Sequence, residues 1–256
     1  MPTSLPSTTN PHAAGSATPR ECASSSLVPD ELELLASLVP LSGARIIELG
    51  CGAAGMVRKL VQRFPDARVT ALEVDSVQHR KNIARPAEGI RFVEAGAQSI
   101  PEDDASFDLA LMLKSLHHVH VDLMDTAFDE AWRVLRPQGL LYVSEPVYAG
   151  ALNEVHKVYI DEELVRGQAI AAIGRALSSR RWRRREQREF LVPVRFADFA
   201  AFAARSIDVS FAERRLTPAQ MKEVRRRFER HLGPDGAAFE VPMRVDLLER
   251  VHSGAS

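Results

Sequence analysis

The segment Glu48-Leu49-Gly50-Cys51-Gly52-Ala53-Ala54-Gly55 sets an acid directly ahead of a glycine-rich turn. Read literally, Gly50, Gly52 and Gly55 spell G-x-G-x-x-G, a spacing that turns a strand tightly into a helix and lets a nucleotide approach the backbone. The spacing alone also fits a strand–helix turn that binds nothing. Glu48 narrows the choice. A pyrophosphate at this helix start would be held by the helix dipole and the free N–H groups, and a neighbouring carboxylate would repel it. The same carboxylate complements a phosphate-free nucleoside that carries positive charge. Glu73 ends an apolar run about twenty residues past the turn, where an acid accepts hydrogen bonds from ribose hydroxyls. Asp75 competes for that role, and a solvated strand-end acid is the plain alternative.

A second polar group comprises Lys114-Ser115-Leu116-His117-His118-Val119-His120 and Glu145-Pro146. His117, His118 and Glu145 are residue types that take a proton from a nucleophile, or that simply pack and hydrogen-bond. Lys114 either meets a ligand or extends its amine to water. The three histidines match no standard metal spacing and no cysteine or DxD-like set assists them, so no metal is expected. Further on, His156, Tyr159 and Glu163 share one face at helical spacing and, with Arg166, suit a polar substrate pocket or an exposed amphipathic face. The run Arg180-Arg181-Trp182-Arg183-Arg184-Arg185 can clamp phosphate or stack on a base, although Glu186 and Glu189 dilute it toward a solvated face.

These groups need elements to hold them. Asp30 to Leu38 reads as a short helix, Ala44 to Leu49 as a strand and Met56 to Phe64 as a helix. Strand and helix then alternate: Arg68 to Glu73, Ser76 to Ala84, Ile90 to Glu94, the apolar run Phe107 to Leu113, the helix Asp122 to Leu135 and the strand Gly139 to Glu145. That rhythm predicts an α/β fold with a doubly wound, mostly parallel sheet whose ligand crevice lies at the carboxyl ends of the strands. After Pro146 the rhythm changes. Glu154 to Leu177 reads as helical, Ala197 to Ala204 as a helix, Ile207 to Phe211 as a strand, Thr217 to Leu232 as a capped helix, and Phe239 to Leu248 as a closing strand that Pro242 assigns to an edge or a bulge. The expected division is a disordered tail over 1–28, a nucleoside-binding core over 29–146, a helical cap over 147–195, and a completion of the sheet over 196–256 with a second helical insertion.

The chain has 256 residues, 45% hydrophobic and 26% charged, with a net charge of -1. It is globular in composition and lacks the basic field that draws proteins to nucleic acid. Cys22 and Cys51 are too few for a disulfide framework, which together with the absence of a signal sequence points to the cytoplasm. No apolar run approaches the roughly 20 residues that span a bilayer.

The stretches IIELGCG, VTALEVD, IPEDDASFDLALMLKSLHHV and RVLRPQGLLYVSEP, in that order over about Ala44 to Pro146, resemble the class I methyltransferases of the ubiquinone/menaquinone-biosynthesis and type 11 group. The resemblance implies a seven-stranded Rossmann-like sheet with a helical cap inserted after strand five, S-adenosylmethionine as cofactor, and methyl transfer to a small molecule. It implies that Glu48, Gly50 and Gly52 flank the methionine and ribose end and that Glu73 holds the ribose. Cys51, Val74 and Lys114 are counted with them as cofactor-binding. Two positions depart from the pattern. Ala54 stands where the third glycine is usual, and Gly96 stands where an acid usually meets the adenine amino group, leaving Ala97 and Gln98 to contact adenine. The arginines suit an anionic acceptor. The alternatives are an enzyme that directs S-adenosylmethionine into cyclisation or another group transfer, and an RNA methyltransferase. Against the latter, the fourth strand lacks the Asn/Asp-Pro-Pro-aromatic run of enzymes that methylate base amino groups.

Overall fold

The computed structural model describes residues 26–207 and 216–251. One half of its sheet is parallel. Arg45–Leu49 (β2), Arg68–Glu73 (β3), Ile90–Glu94 (β4), Phe107–Leu113 (β5) and Leu135–Pro146 (β6) are parallel, in the spatial order β4-β3-β2-β5-β6. The chain steps outward from β2 to β4 and returns beside β2 as β5. Strand order thus reverses between β2 and β5, and a crevice opens there at the carboxyl ends.

Beyond β6 the sheet becomes mixed. Gly236–Arg250 (β9) runs antiparallel to β6, and Trp182–Phe196 (β7) runs antiparallel along its other side. Ser26–Leu27 (β1) pairs in parallel with β7, and Leu232–Gly233 (β8) pairs with β9. Against the expected seven strands, the described residues form nine, mixed in direction.

Helices cover both faces. Successive residues of a strand point to opposite sides, so Ile47 joins a core with Met124–Val134 (α4) and Glu163–Ser178 (α6), while Ile46 joins one with Glu31–Leu38 (α1) and Gly55–Arg63 (α2). Ser76–Ile83 (α3) lies against β3 and β4. A third, phenylalanine-rich core unites Ala151–His156 (α5), Phe199–Ser206 (α7) and Pro218–Glu229 (α8) with the outer halves of β7 and β9. Thr217 caps α8 as expected, with Pro218 at its first position and Gln220 closing a capping box.

Three expectations change past Pro146. The cap is helical only as far as Ser178, because the arginine run belongs to β7. Arg183 and Arg185 both pair with Glu249 (2.7 and 2.9 Å) and Arg184 pairs with Asp246 (3.1 Å), so charge across adjacent strands holds a segment with few apolar residues in the sheet. The helix expected over Glu154 to Leu177 is broken after His156. Asp161 there accepts from the Tyr148 hydroxyl (2.9 Å) and from the Glu163 amide (3.1 Å), a side-chain turn that restarts the helix at Glu163. His156, Tyr159 and Glu163 consequently share no helix face. Pro242 lies inside a long strand rather than on an edge strand. Its carbonyl accepts from Val147 on the β6 side (2.9 Å), just where β6 ends, so its missing N–H faces a side without a partner strand. The strand expected at Ile207 to Phe211 falls, past Ile207, outside the described residues, as does the tail through residue 25.

Candidate active site

The glycine turn closes the end of β2 over the switch point. Gly50 (φ +84°) and Cys51 both donate to the Leu72 carbonyl, at 3.0 and 2.7 Å, which ties the turn to β3. A Cβ on Gly50 would lie 2.9 Å from Cβ of Ser115, whose hydroxyl donates to the Leu49 carbonyl at 2.7 Å. Only glycine meets both conditions. Gly50→Ala is expected to cost at least about 2 kcal/mol through left-handed strain and the Ser115 contact, read as a lower denaturant midpoint with an unchanged slope. Ala54 occupies the left-handed region (φ 59°) as N-cap of α2, which explains why a glycine is usual there in the proteins this chain resembles.

Glu73 is buried and grips the same turn. Its Oε2 accepts from the Gly52 amide (2.7 Å) and its Oε1 from the Asp75 amide (2.9 Å). Asp75 is occupied as N-cap of α3, accepting from the Val77 amide at 2.8 Å. Val74, next to Glu73, is 68% exposed. Cys51 is buried and hydrogen-bonded by the Asn82 side chain, and burial pushes its thiol up to about 12, so it serves the turn rather than chemistry. At Gly96 the space a side chain would fill is taken by the amide of Gln98, whose Oε1 lies 2.5 Å from an ideal Cβ there. The missing acid and the glutamine are one substitution in space: Gln98 brings its amide where residue 96 offers none. Ala97 beside it is buried.

Glu48, from the end of β2, is buried, and its Oε2 has no hydrogen-bond partner. Burial pushes its carboxyl up to about 8; Lys114 opposes the rise, and Glu31 and Glu73 add to it. Lys114 follows β5 in a left-handed conformation (φ 57°) and pairs with the buried Glu31 of α1 at 2.7 Å. Glu31 also accepts from the Tyr142 hydroxyl at 3.4 Å, and burial together with the Glu31 charge pushes that hydroxyl's pKa upward. Sequence reasoning passes over Glu31. An acid in the first turn of a helix reads as a complement to the helix dipole, and its partner lies 83 residues away.

At the ends of β5 and β6, His117 and Glu145 are both buried. Glu145 accepts from the Leu116 amide (2.9 Å) through Oε1 and meets Nδ1 of His117 through Oε2. A carboxylate on Nδ1 fixes the imidazole's orientation and leaves Nε2 with its lone pair. The His118 ring lies 4.0 Å from the His117 ring. His117, His118 and Glu162 also bring three donor atoms within 4.8 Å of one another, a set able to hold a cation, although Arg166 already occupies Glu162 Oε2 at 2.6 Å. Burial alone would raise the Glu162 carboxyl; the Arg166 guanidinium and the two histidines outweigh it and hold it below the usual range.

Arg166 also donates to Asn153 and to the Val147 carbonyl (both 3.3 Å) and lines a cavity of about 110 Å³ with Pro146, Asn153, His156 and Glu240. His156 stacks on Phe202 and meets Tyr159 edge-on, and the Tyr159 hydroxyl donates to the Ser206 carbonyl at 3.2 Å. Glu163 is exposed at the start of α6. The structure thus unites His156 with Arg166 at one cavity, and neither Tyr159 nor Glu163 lines it.

Residues 46–139 match the family model described as a methyltransferase domain. They contain the glycine turn, Glu73 and the His117–His118 pair, and likeness to this family on this fold implies S-adenosylmethionine as methyl donor. The chain is 35% identical to a fatty-acid O-methyltransferase of Mycolicibacterium smegmatis over 41% of its own length and 38% of that protein's. It is 32% identical to the demethylmenaquinone methyltransferase of Thermus thermophilus over 47% of its own length and 56% of that protein's. The chain thus matches well under two thirds of the length of either relative. The crystal structure of the YcgJ protein of Bacillus subtilis superposes with a TM-score of 0.61 at 15% identity, over 87% of this chain and 98% of that one, which extends the likeness of fold beyond the methyltransferase domain.

Proposed function

We propose that the protein is an S-adenosylmethionine-dependent methyltransferase acting on a small molecule, with residues 29–146 binding the donor and 147–195 and 196–256 forming the acceptor side. The observation that carries this reading is Glu48, a buried carboxylate with an unpartnered oxygen beside the glycine turn. Such a group awaits a cation. With Glu73 also buried there, the crevice suits a cationic nucleoside and repels a pyrophosphate.

The donor, when bound, supplies a methyl group on a positively charged sulfur. Glu48 attracts its ammonium and Lys114 its carboxylate, while the backbone of Gly50, Cys51 and Gly52 allows close approach. Glu73 keeps lone pairs for the ribose hydroxyls alongside its bond to Gly52. Val74 offers an apolar surface to adenine, and Ala97 and Gln98 its polar edge. His117, oriented by Glu145, accepts the acceptor's proton at Nε2, and His118 lies against it. His156 and Arg166 line the acceptor cavity, Tyr159 supports His156 from behind, and Glu163 sits at the rim.

Of the arginines that suggest an anionic acceptor or RNA, Arg183, Arg184 and Arg185 are committed to Glu249 and Asp246, and Arg181 to Asp129. Arg166 and Glu240 at the cavity set the acceptor's charge in their place. No helix among the described residues is long and apolar enough to cross a membrane, and a cytoplasmic enzyme is the reading we adopt.

The test is incubation with methyl-labelled S-adenosylmethionine and a cell extract. We expect label in a small molecule, with one S-adenosylhomocysteine formed per methyl transferred. Donor consumed without labelled product would favour cyclisation or another transfer, and label confined to RNA would reverse the acceptor assignment.

A further inference from the structure

Lys114 pairs with one buried acid and acts electrostatically on a second, of different origin. Glu31 comes from the helix that precedes the methyltransferase domain and Glu48 from the end of β2. Half of the Lys114 side chain is exposed, whereas only 7% of the Glu31 side chain is. A half-exposed lysine ordinarily samples many rotamers, and ordering it costs entropy. Here the ammonium is held at 2.7 Å by a carboxylate that cannot itself move freely. Glu31 is clamped between Lys114 and the Tyr142 hydroxyl, and its helix is seated on the core by Leu32 and Leu35. The result is an ammonium fixed on Glu31 and within electrostatic reach of the Glu48 carboxyl, beside a turn that only glycine can form.

We propose that Glu31 is a positioning residue for the amino-acid end of the donor: it fixes Lys114 to receive the α-carboxylate while Glu48 receives the α-ammonium. A zwitterion lying along Lys114 and Glu48 meets an opposite charge at each end. Glu31 supplies the third charge, which keeps Lys114 from swinging out to solvent or collapsing onto Glu48. Without Glu31, Lys114 would pair with Glu48 and cancel the two charges the ligand needs. The helix before residue 46, where the match to the family model begins, thereby becomes part of the donor site. This inference rests on the donor assignment made above.

The experiment compares two nucleosides by calorimetry. S-adenosylhomocysteine carries the amino-acid end; 5′-methylthioadenosine has the same nucleoside and a thioether but lacks that end. Glu31→Gln is expected to weaken S-adenosylhomocysteine about tenfold, the scale of one charge-assisted contact, and to leave methylthioadenosine within about twofold. Lys114→Met should do the same, and Glu31→Gln should add little on that background. Where Glu31→Gln lowers stability, Lys114→Met at its half-exposed site reads the same contact alone. Equal losses for both nucleosides, no loss for either, or a full additional loss in the double variant would overturn the inference and leave the donor assignment standing. Failure of the unaltered protein to bind either nucleoside would overturn that assignment, and the inference with it.

Discussion

Glu48→Gln is expected to make the protein more stable at alkaline pH and to cripple its binding of S-adenosylmethionine. In the folded protein the Glu48 carboxyl is raised to about 8 by burial, against an ordinary value of 4.5. A raised carboxyl keeps its proton in the folded state while the unfolded chain has already lost it. The unaltered protein is therefore unburdened below about pH 4.5, loses stability as pH climbs toward 8, and carries the whole cost above it, on the order of a few kcal/mol. Glutamine keeps the shape and removes the titration. Melting curves should separate the two proteins most at pH 8 to 9, and the gap should close toward pH 4.5. Ligand binding runs the other way. A cation selects the ionised form, so affinity should rise by up to about tenfold per pH unit from 6 to 8, with uptake of the ligand releasing a proton. In the glutamine variant that slope should vanish and affinity at pH 8 should fall about a hundredfold. Lys114, Glu31 and Glu73 all act on this carboxyl, so Lys114→Met should steepen the penalty by removing the one cation that opposes it.

His117→Ala should lower label transfer by between about 10² and 10⁴, the usual worth of a placed base, with affinity for S-adenosylhomocysteine unchanged within about threefold. Glu145→Gln should cost nearly as much by disturbing His117 rather than by touching the acceptor. It is buried, bonded to Leu116, and meets the imidazole only at Nδ1. Its signature is a fall in turnover with the affinity for S-adenosylhomocysteine unchanged, because the imidazole loses the carboxylate that orients it. If both variants keep full turnover while only their melting temperatures fall, the pair packs and hydrogen-bonds without serving chemistry.

The parallel half of this fold is legible residue by residue. Arg68–Glu73 and Phe107–Leu113 begin and end where their apolar runs do, because burial on both faces leaves little freedom in composition. The glycine turn is equally plain, since φ +84° and a 2.9 Å approach to Ser115 tolerate one residue type. What escapes reading depends on distant partners. Trp182–Phe196 looks like a charged surface run until Glu249 and Asp246, more than fifty residues on, turn its arginines into cross-strand pairs. The break after His156 lacks a proline or glycine and is made by one aspartate accepting two hydrogen bonds. Glu31 reads as a dipole complement until Lys114 folds against it. Gly96 reads as a lost contact until Gln98 is seen filling its space.

The central claim is that the crevice holds a cationic, phosphate-free nucleoside beside Glu48. Its most direct test is parallel calorimetric titration of the unaltered protein with S-adenosylmethionine and with NAD at pH 8. The account predicts saturable, roughly micromolar binding of the first and none of the second at a hundredfold higher concentration. Binding of NAD, or no binding of S-adenosylmethionine, would contradict it.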